Sequence, residues 1–127
     1  MKNLLILLLF APLSLMAEPP NIGAITRAIS SGDAAALGQF FDETVEIATP
    51  DSEDMYSKSD AIQKVRQFFN SAKPQSFSQV HQGASKGQDS QYFIGNLVAG
   101  NGKYRVYIYM KVKGSNSLIQ ELRFDRE

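Results

Sequence analysis

Between residues 103 and 112 the chain alternates without a break. Tyr104, Val106, Ile108, Met110 and Val112 fall on one side; Arg105, Tyr107, Tyr109 and Lys111 fall on the other. Side chains of a β-strand point to opposite faces with a period of two, so this segment predicts a strand with one dry face and one wet face. Such a strand belongs to an antiparallel sheet that is covered on one side only. Gly100-Asn101-Gly102 before it and Gly114-Ser115-Asn116 after it are hairpin signals. The flanking strands are then residues 91–99 and 118–124, with a further strand over 76–82. In the last strand Leu118, Leu122 and Phe124 share the dry face, and Ile119, Glu121 and Arg123 the wet one.

Before Pro74 the period is that of a helix. Ile22, Ile25 and Ile29 lie on one face of a first short helix over 22–30, with Asn21 as its cap and Ser31-Gly32 as its stop. Asp33 caps a second helix over 34–41, whose apolar residues are Leu37, Phe40 and Phe41. Thr44 to Thr49 is a short strand. Met55 and Tyr56 form a briefer one inside a polar connection. Ser57 or Ser59 starts a third helix to about residue 71, with Ile62, Val65, Phe68 and Phe69 on its apolar side. Helices first and a strand meander after them predict an α+β domain, its N-terminal helices packed on the concave face of a curved antiparallel sheet. The expected core and pocket wall are Phe40, Phe68, Phe77, Tyr104, Val106, Ile108 and Leu122.

Residues 1–17 read as a secretory leader. Lys2 supplies the positive end, residues 4–10 an apolar run, and Ala17 a small residue at the cut. Pro12 and Ser14 interrupt the run, which is shorter than the roughly 20 residues of a membrane-spanning helix. The expectation is a single domain over 18–127, exported to the periplasm or the medium, with no stable membrane anchor once the leader is removed. The chain has no Cys and one His. This excludes disulfides, a cysteine nucleophile, thiolate zinc sites and metal sites needing two imidazoles.

The segments Ile22-Gly23-Ala24-Ile25, Ser31-Gly32-Asp33, Phe68-Phe69, residues 77–83, Ile94-Gly95-Asn96-Leu97 and Tyr104-Arg105-Val106-Tyr107, in this element order, give the chain a family likeness. It resembles the nuclear transport factor two-like superfamily, the cone-shaped fold also called cystatin-like. Within that superfamily it resembles a family of small exported bacterial domains of unknown function. The superfamily holds isomerases and dehydratases beside binding modules with no chemistry, so the resemblance implies the fold more than the function.

His81 is the first candidate for chemistry. It alternates with Phe77 and Gln79, which places it on the concave face, where an imidazole suits general-base work at neutral pH. His81, Gln79, Asn96, Tyr104 and Gln120 make up the expected ligand pocket. The superfamily's isomerases imply a tyrosine and an aspartate in the pocket, for which Tyr56, Tyr92, Tyr104 and Asp42 are available. The acidic residues Asp42, Glu43, Glu46, Asp51, Glu53 and Asp54 do not match a calcium loop, and read as solvated charge. No metal or cofactor is expected.

Charge divides the chain. Residues 18–60 carry nine acidic and two basic groups; residues 61–127 carry four acidic and ten basic. The wet sheet face is therefore cationic and aromatic, with Arg105, Tyr107, Tyr109, Ile119, Glu121 and Arg123 as an expected interface for a homodimer. A small molecule, a glycan or another envelope component is the other expected partner; nucleic acid is not expected for an exported chain. The leading expectation is a non-catalytic binding or assembly module. The alternative is an isomerase or dehydratase with His81 as base.

Overall fold

The computed structural model describes residues 21–87 and 89–127; the expected leader lies outside the described residues. Helix α1 (Ile22–Ser31) buries Ile22, Ile25, Ala28 and Ile29. Gly32 ends it at φ 70°, a left-handed position that glycine takes without steric cost. The Asp33 carboxylate accepts the Ala36 N–H at 3.0 Å and caps α2 (Ala34–Gly38). This helix stops before Phe41. At Gly38 a Cβ would overlap the Ile62 side chain, and the Phe40 carbonyl accepts the Ile119 N–H at 2.7 Å, so the chain has already joined the sheet.

Phe41 therefore opens β1 (Phe41–Thr49), three residues earlier than the sequence suggests. It is followed by β2 (Ser52–Ser57), a full edge strand where only Met55 and Tyr56 read as extended. The Ser57 hydroxyl accepts the Asp60 N–H at 3.3 Å and starts α3 (Lys58–Ala72). Strands β3 (Pro74–Ala84), β4 (Ser90–Ala99), β5 (Gly102–Lys113) and β6 (Asn116–Arg126) complete the chain.

The six strands form one sheet in the order β2-β1-β6-β5-β4-β3. The last four strands are the expected antiparallel meander. β1 lies beside β6 and parallel to it, which makes the sheet mixed and puts the end of the chain in its middle. Periodicity shows which residues are buried in a strand but not which strand it pairs with, so the β1–β6 pairing has no local signature.

The helices cover one face. Phe68 stacks on Phe124 with ring centroids 4.4 Å apart and meets Tyr104 edge-on at 5.1 Å; Phe69 meets Phe124 edge-on at 5.9 Å. Phe41, Phe93, Tyr104 and Phe124 are at most 2% exposed. Phe77, Val106, Ile108 and Leu122 are buried with them, while Phe40 and Phe68 pack against the core half-buried. These side chains pack together between the helices and the sheet.

Candidate functional site

Two β-bulges decide which side chains reach the uncovered face. The first is in β3. Gln79 lies opposite Gly95, but His81 lies opposite Ile94, so Val80 is the extra residue and the alternation slips by one. Phe77 is on the inner face over Gly95, where a Cβ would strike its ring. His81 is on the outer face, against the expectation of a concave position. Its Nε2 lies 3.2 Å from the Tyr92 hydroxyl, and Tyr92 stacks on Tyr107 with centroids 6.0 Å apart. The Tyr92 ring also covers Gly83 across the strand pair.

The second bulge is in β6. Tyr109 pairs with Glu121 and Met110 with Ile119, which leaves Gln120 as the extra residue. Ile119 therefore points inward and is fully buried, so it is no part of an outer interface; Leu118, expected inside, lies opposite Lys111 on the outer face. Strict alternation counted from Phe124 misses both changes, because a bulge restores the phase only after one skipped residue.

The five expected pocket residues are thus not brought together. His81 and Asn96 are on the outer face, the latter accepting Arg105 Nε–H at 3.1 Å. Gln79 is exposed and donates to the Gln82 side chain at 2.8 Å. Tyr104 is a core residue whose hydroxyl donates to Asn101 Oδ1 at 2.8 Å, with the Arg126 guanidinium over its ring. Gln120 donates to Asp42. The small recess beside Tyr104, about 150 Å³, is lined by Phe68, Asn101 and Arg126 and by none of the other four expected pocket residues.

The outer face carries Tyr92, Ile94 and Asn96 from β4 and Arg105, Tyr107, Tyr109 and Lys111 from β5. Next to them Arg123 sits among three carboxylates: Glu53 at 3.3 Å, Glu121 at 3.5 Å and Glu46 at 4.0 Å. Arg123 holds the Glu53 carboxyl below the usual range, while a hydrogen bond with Glu53, burial and the neighbouring Glu121 push the Glu46 carboxyl up. Burial followed by the Glu121 charge raises the Tyr107 phenol. Tyr107 is thus partly covered by its own neighbours and stays a neutral hydrogen-bonding group at ordinary pH.

A second cluster lies where β1 begins and the β5–β6 hairpin turns. Asp42 is 8% exposed. Its Oδ2 accepts from Lys113 Nζ at 2.8 Å and from Gln120 Nε2 at 2.9 Å, and its Oδ1 accepts the Glu43 N–H at 2.8 Å. These bonds, that of Lys113 foremost, hold the Asp42 carboxyl down at about 2. A groove of about 390 Å³ opens over the cluster, lined by Asp42, Glu43, Thr44, Met55, Lys113 and Gln120. Sequence reasoning had Asp42 and Gln120 separately, but their pairing depends on both the parallel β1–β6 contact and the β6 bulge. Among the described residues no three His, Asp or Glu side chains converge as a metal ion requires.

Residues 22–125 match the model of a domain of unknown function, DUF4783. The chain belongs to the DUF4783 family. Solved DUF4783 structures agree with the fold over most of the chain. One from Bacteroides ovatus is 25% identical, with a TM-score of 0.77 over 82% of this chain and 93% of that one. One from Bacteroides uniformis is 24% identical, with a TM-score of 0.78 over 84% of this chain and 96% of that one. The wider likeness is to cone-shaped folds. A domain of unknown function with a cystatin-like fold from Nostoc punctiforme has 10% identity and a TM-score of 0.65, covering 83% of this chain and 72% of that one. The resemblance to nuclear transport factor two-like domains therefore holds for this DUF4783 chain at the level of fold. No curated protein matches it.

Proposed function

We propose that the protein is an exported binding or assembly module with no chemistry of its own, working through the outer face of its sheet. The contrast between the two faces carries this reading. The concave side, where a cone-shaped fold would hold a substrate, is packed with Phe68, Phe69, Tyr104 and Phe124. The other side presents tyrosines, cations and carboxylates with no helix over them among the described residues. His81 has the Tyr92 hydroxyl as a partner, but both stand on an open surface, and acid–base chemistry needs walls that orient a substrate and exclude water. Export rests on the leader-like pattern of residues 1–17.

The occupant that this face fits best is a second copy of the chain. A two-fold axis parallel to the strands, between β6 and β5, would lay β6 of one copy over β5 of the other. Arg123 would then meet Tyr107, and Glu121 would meet Tyr109 beside Lys111. Cation–aromatic and opposite-charge contacts result, in an aligned sheet-on-sheet packing. Native mass spectrometry of protein purified from its exporting host tests the reading. A chain cut near Ala17 and present as a dimer is the expected spectrum. An uncut chain, or a monomer at every concentration, would contradict it.

A further inference from the structure

We propose that the groove over Asp42, Lys113 and Gln120 is a binding site for an uncharged polyhydroxyl ligand, a saccharide unit. This goes beyond the sheet-face reading and does not depend on it.

The groove is built rather than incidental. A nearly buried carboxylate costs free energy unless every oxygen is satisfied, and the chain departs twice from regular strand geometry to satisfy this one. In β1 the register slips between Phe41 and Glu46, and along this stretch Asp42 is buried while Glu43 and Thr44 are exposed side by side. In β6 the extra residue, Gln120, is the one whose amide reaches Asp42. At about 390 Å³ the groove lies within the size range of small-molecule sites, about 300–1,000 Å³.

The unspent hydrogen-bonding groups define the ligand. Asp42 uses one of the three ammonium donors of Lys113, whose side chain is half exposed and directs the others outward. Gln120 spends one amide hydrogen on Asp42 and keeps its carbonyl oxygen and second hydrogen. The Thr44 hydroxyl and the Glu43 carboxylate complete the lining. Donors and acceptors therefore alternate over a short distance. Each sugar hydroxyl can donate and accept at once, so a saccharide matches this surface. Met55, 55% exposed, offers an apolar surface for a sugar ring. Net charge argues against an anion. Asp42 already balances Lys113, and Glu43 leaves the groove with one negative charge that repels anions.

The test is a titration of the whole mature chain, followed by amide NMR, with cellotriose, maltotriose and chitotriose as probes and sodium glutamate as the charged control. At least one trisaccharide should shift the amides of Glu43, Thr44 and Gln120. Binding should weaken about tenfold in Lys113→Met, the loss expected for one good polar contact, and also in Thr44→Val, an exposed substitution that leaves the Asp42 bonds intact. Lys103→Met, remote from the groove, should bind like the parent. Shifts with glutamate but with no sugar would make this an ion site and overturn the proposal. No shifts in these amides with any probe, or sugar binding unchanged in both groove variants, would overturn it as well. A monomeric protein that still binds sugar here would refute the sheet-face reading alone.

Discussion

Replacing Lys113 with Met removes the ammonium from Asp42 and leaves the carboxylate to Gln120 and the Glu43 N–H. In the fold this carboxyl sits at about 2, against 3.8 when unperturbed. A carboxyl lowered by folding contributes stability that is complete above the unfolded value and is lost as pH falls through the folded one. The whole displacement corresponds to about 2 kcal/mol. Lys113 is the largest cause, but its side chain is 51% exposed, so water screens the pair and its share is about 1 kcal/mol. Urea unfolding near pH 7 should therefore find Lys113→Met less stable than the parent by about that amount, with the denaturant slope unchanged. Between about pH 4 and pH 2 the two proteins should converge, because a protonated Asp42 gains nothing from the ammonium. Equal stability at pH 7, or a gap that persists undiminished at pH 2, would refute this account of the cluster.

Other substitutions probe the core and the outer face. Phe124→Ala removes the ring that Phe68 and Phe69 pack against, and should cost about 3–5 kcal/mol in chemical denaturation, the range for a buried phenylalanine. Gly95→Ala would press a methyl group into the Phe77 ring and set it 2.7 Å from the Ser78 carbonyl oxygen; a loss of about 1–3 kcal/mol, read from thermal unfolding, is expected for such overpacking. His81→Ala breaks only an exposed contact with the Tyr92 hydroxyl, and should change stability by no more than about 0.5 kcal/mol. A large loss of stability in His81→Ala would mean that the imidazole is held by more than Tyr92.

The three helices and the four-strand meander were legible as elements from their apolar spacing and their turns, although α2 ends at Gly38 and the Asn21 side chain makes no cap bond to α1. Gly32, Asp33, Ser57 and the Gly100–Gly102 turn act in the structure as their chemistry suggests. The face of β5 was equally legible, since ten residues alternate without interruption. The position of β1 was not. Its partner is the last strand, more than 70 residues away in sequence, and nothing local to Phe41 records Ile119. The candidate site failed for a similar reason. His81 and Ile119 were assigned to faces by counting in twos, and one extra residue in each strand reversed the count. Two weak signals were available. Phe77, Gln79 and His81 offer only one apolar residue to a supposedly inner face, and Ile119 is more hydrophobic than the charged face to which it was assigned. Asp42 was visible as a residue, but its role emerges only when β1, β5 and β6 meet at one corner of the sheet.

On the proposed function, the outer sheet face and not the packed concave side is the working surface. Sedimentation velocity of the parent and of Tyr107→Asp, over a range of concentrations, tests it most directly. Tyr107 stands between Tyr92 and Arg123 in the middle of that face, and its side chain makes no part of the core. The account predicts that the parent associates into a dimer and that Tyr107→Asp is a folded monomer, with a circular dichroism spectrum like the parent's. A parent that stays monomeric, or a Tyr107→Asp dimer as stable as the parent's, would contradict it.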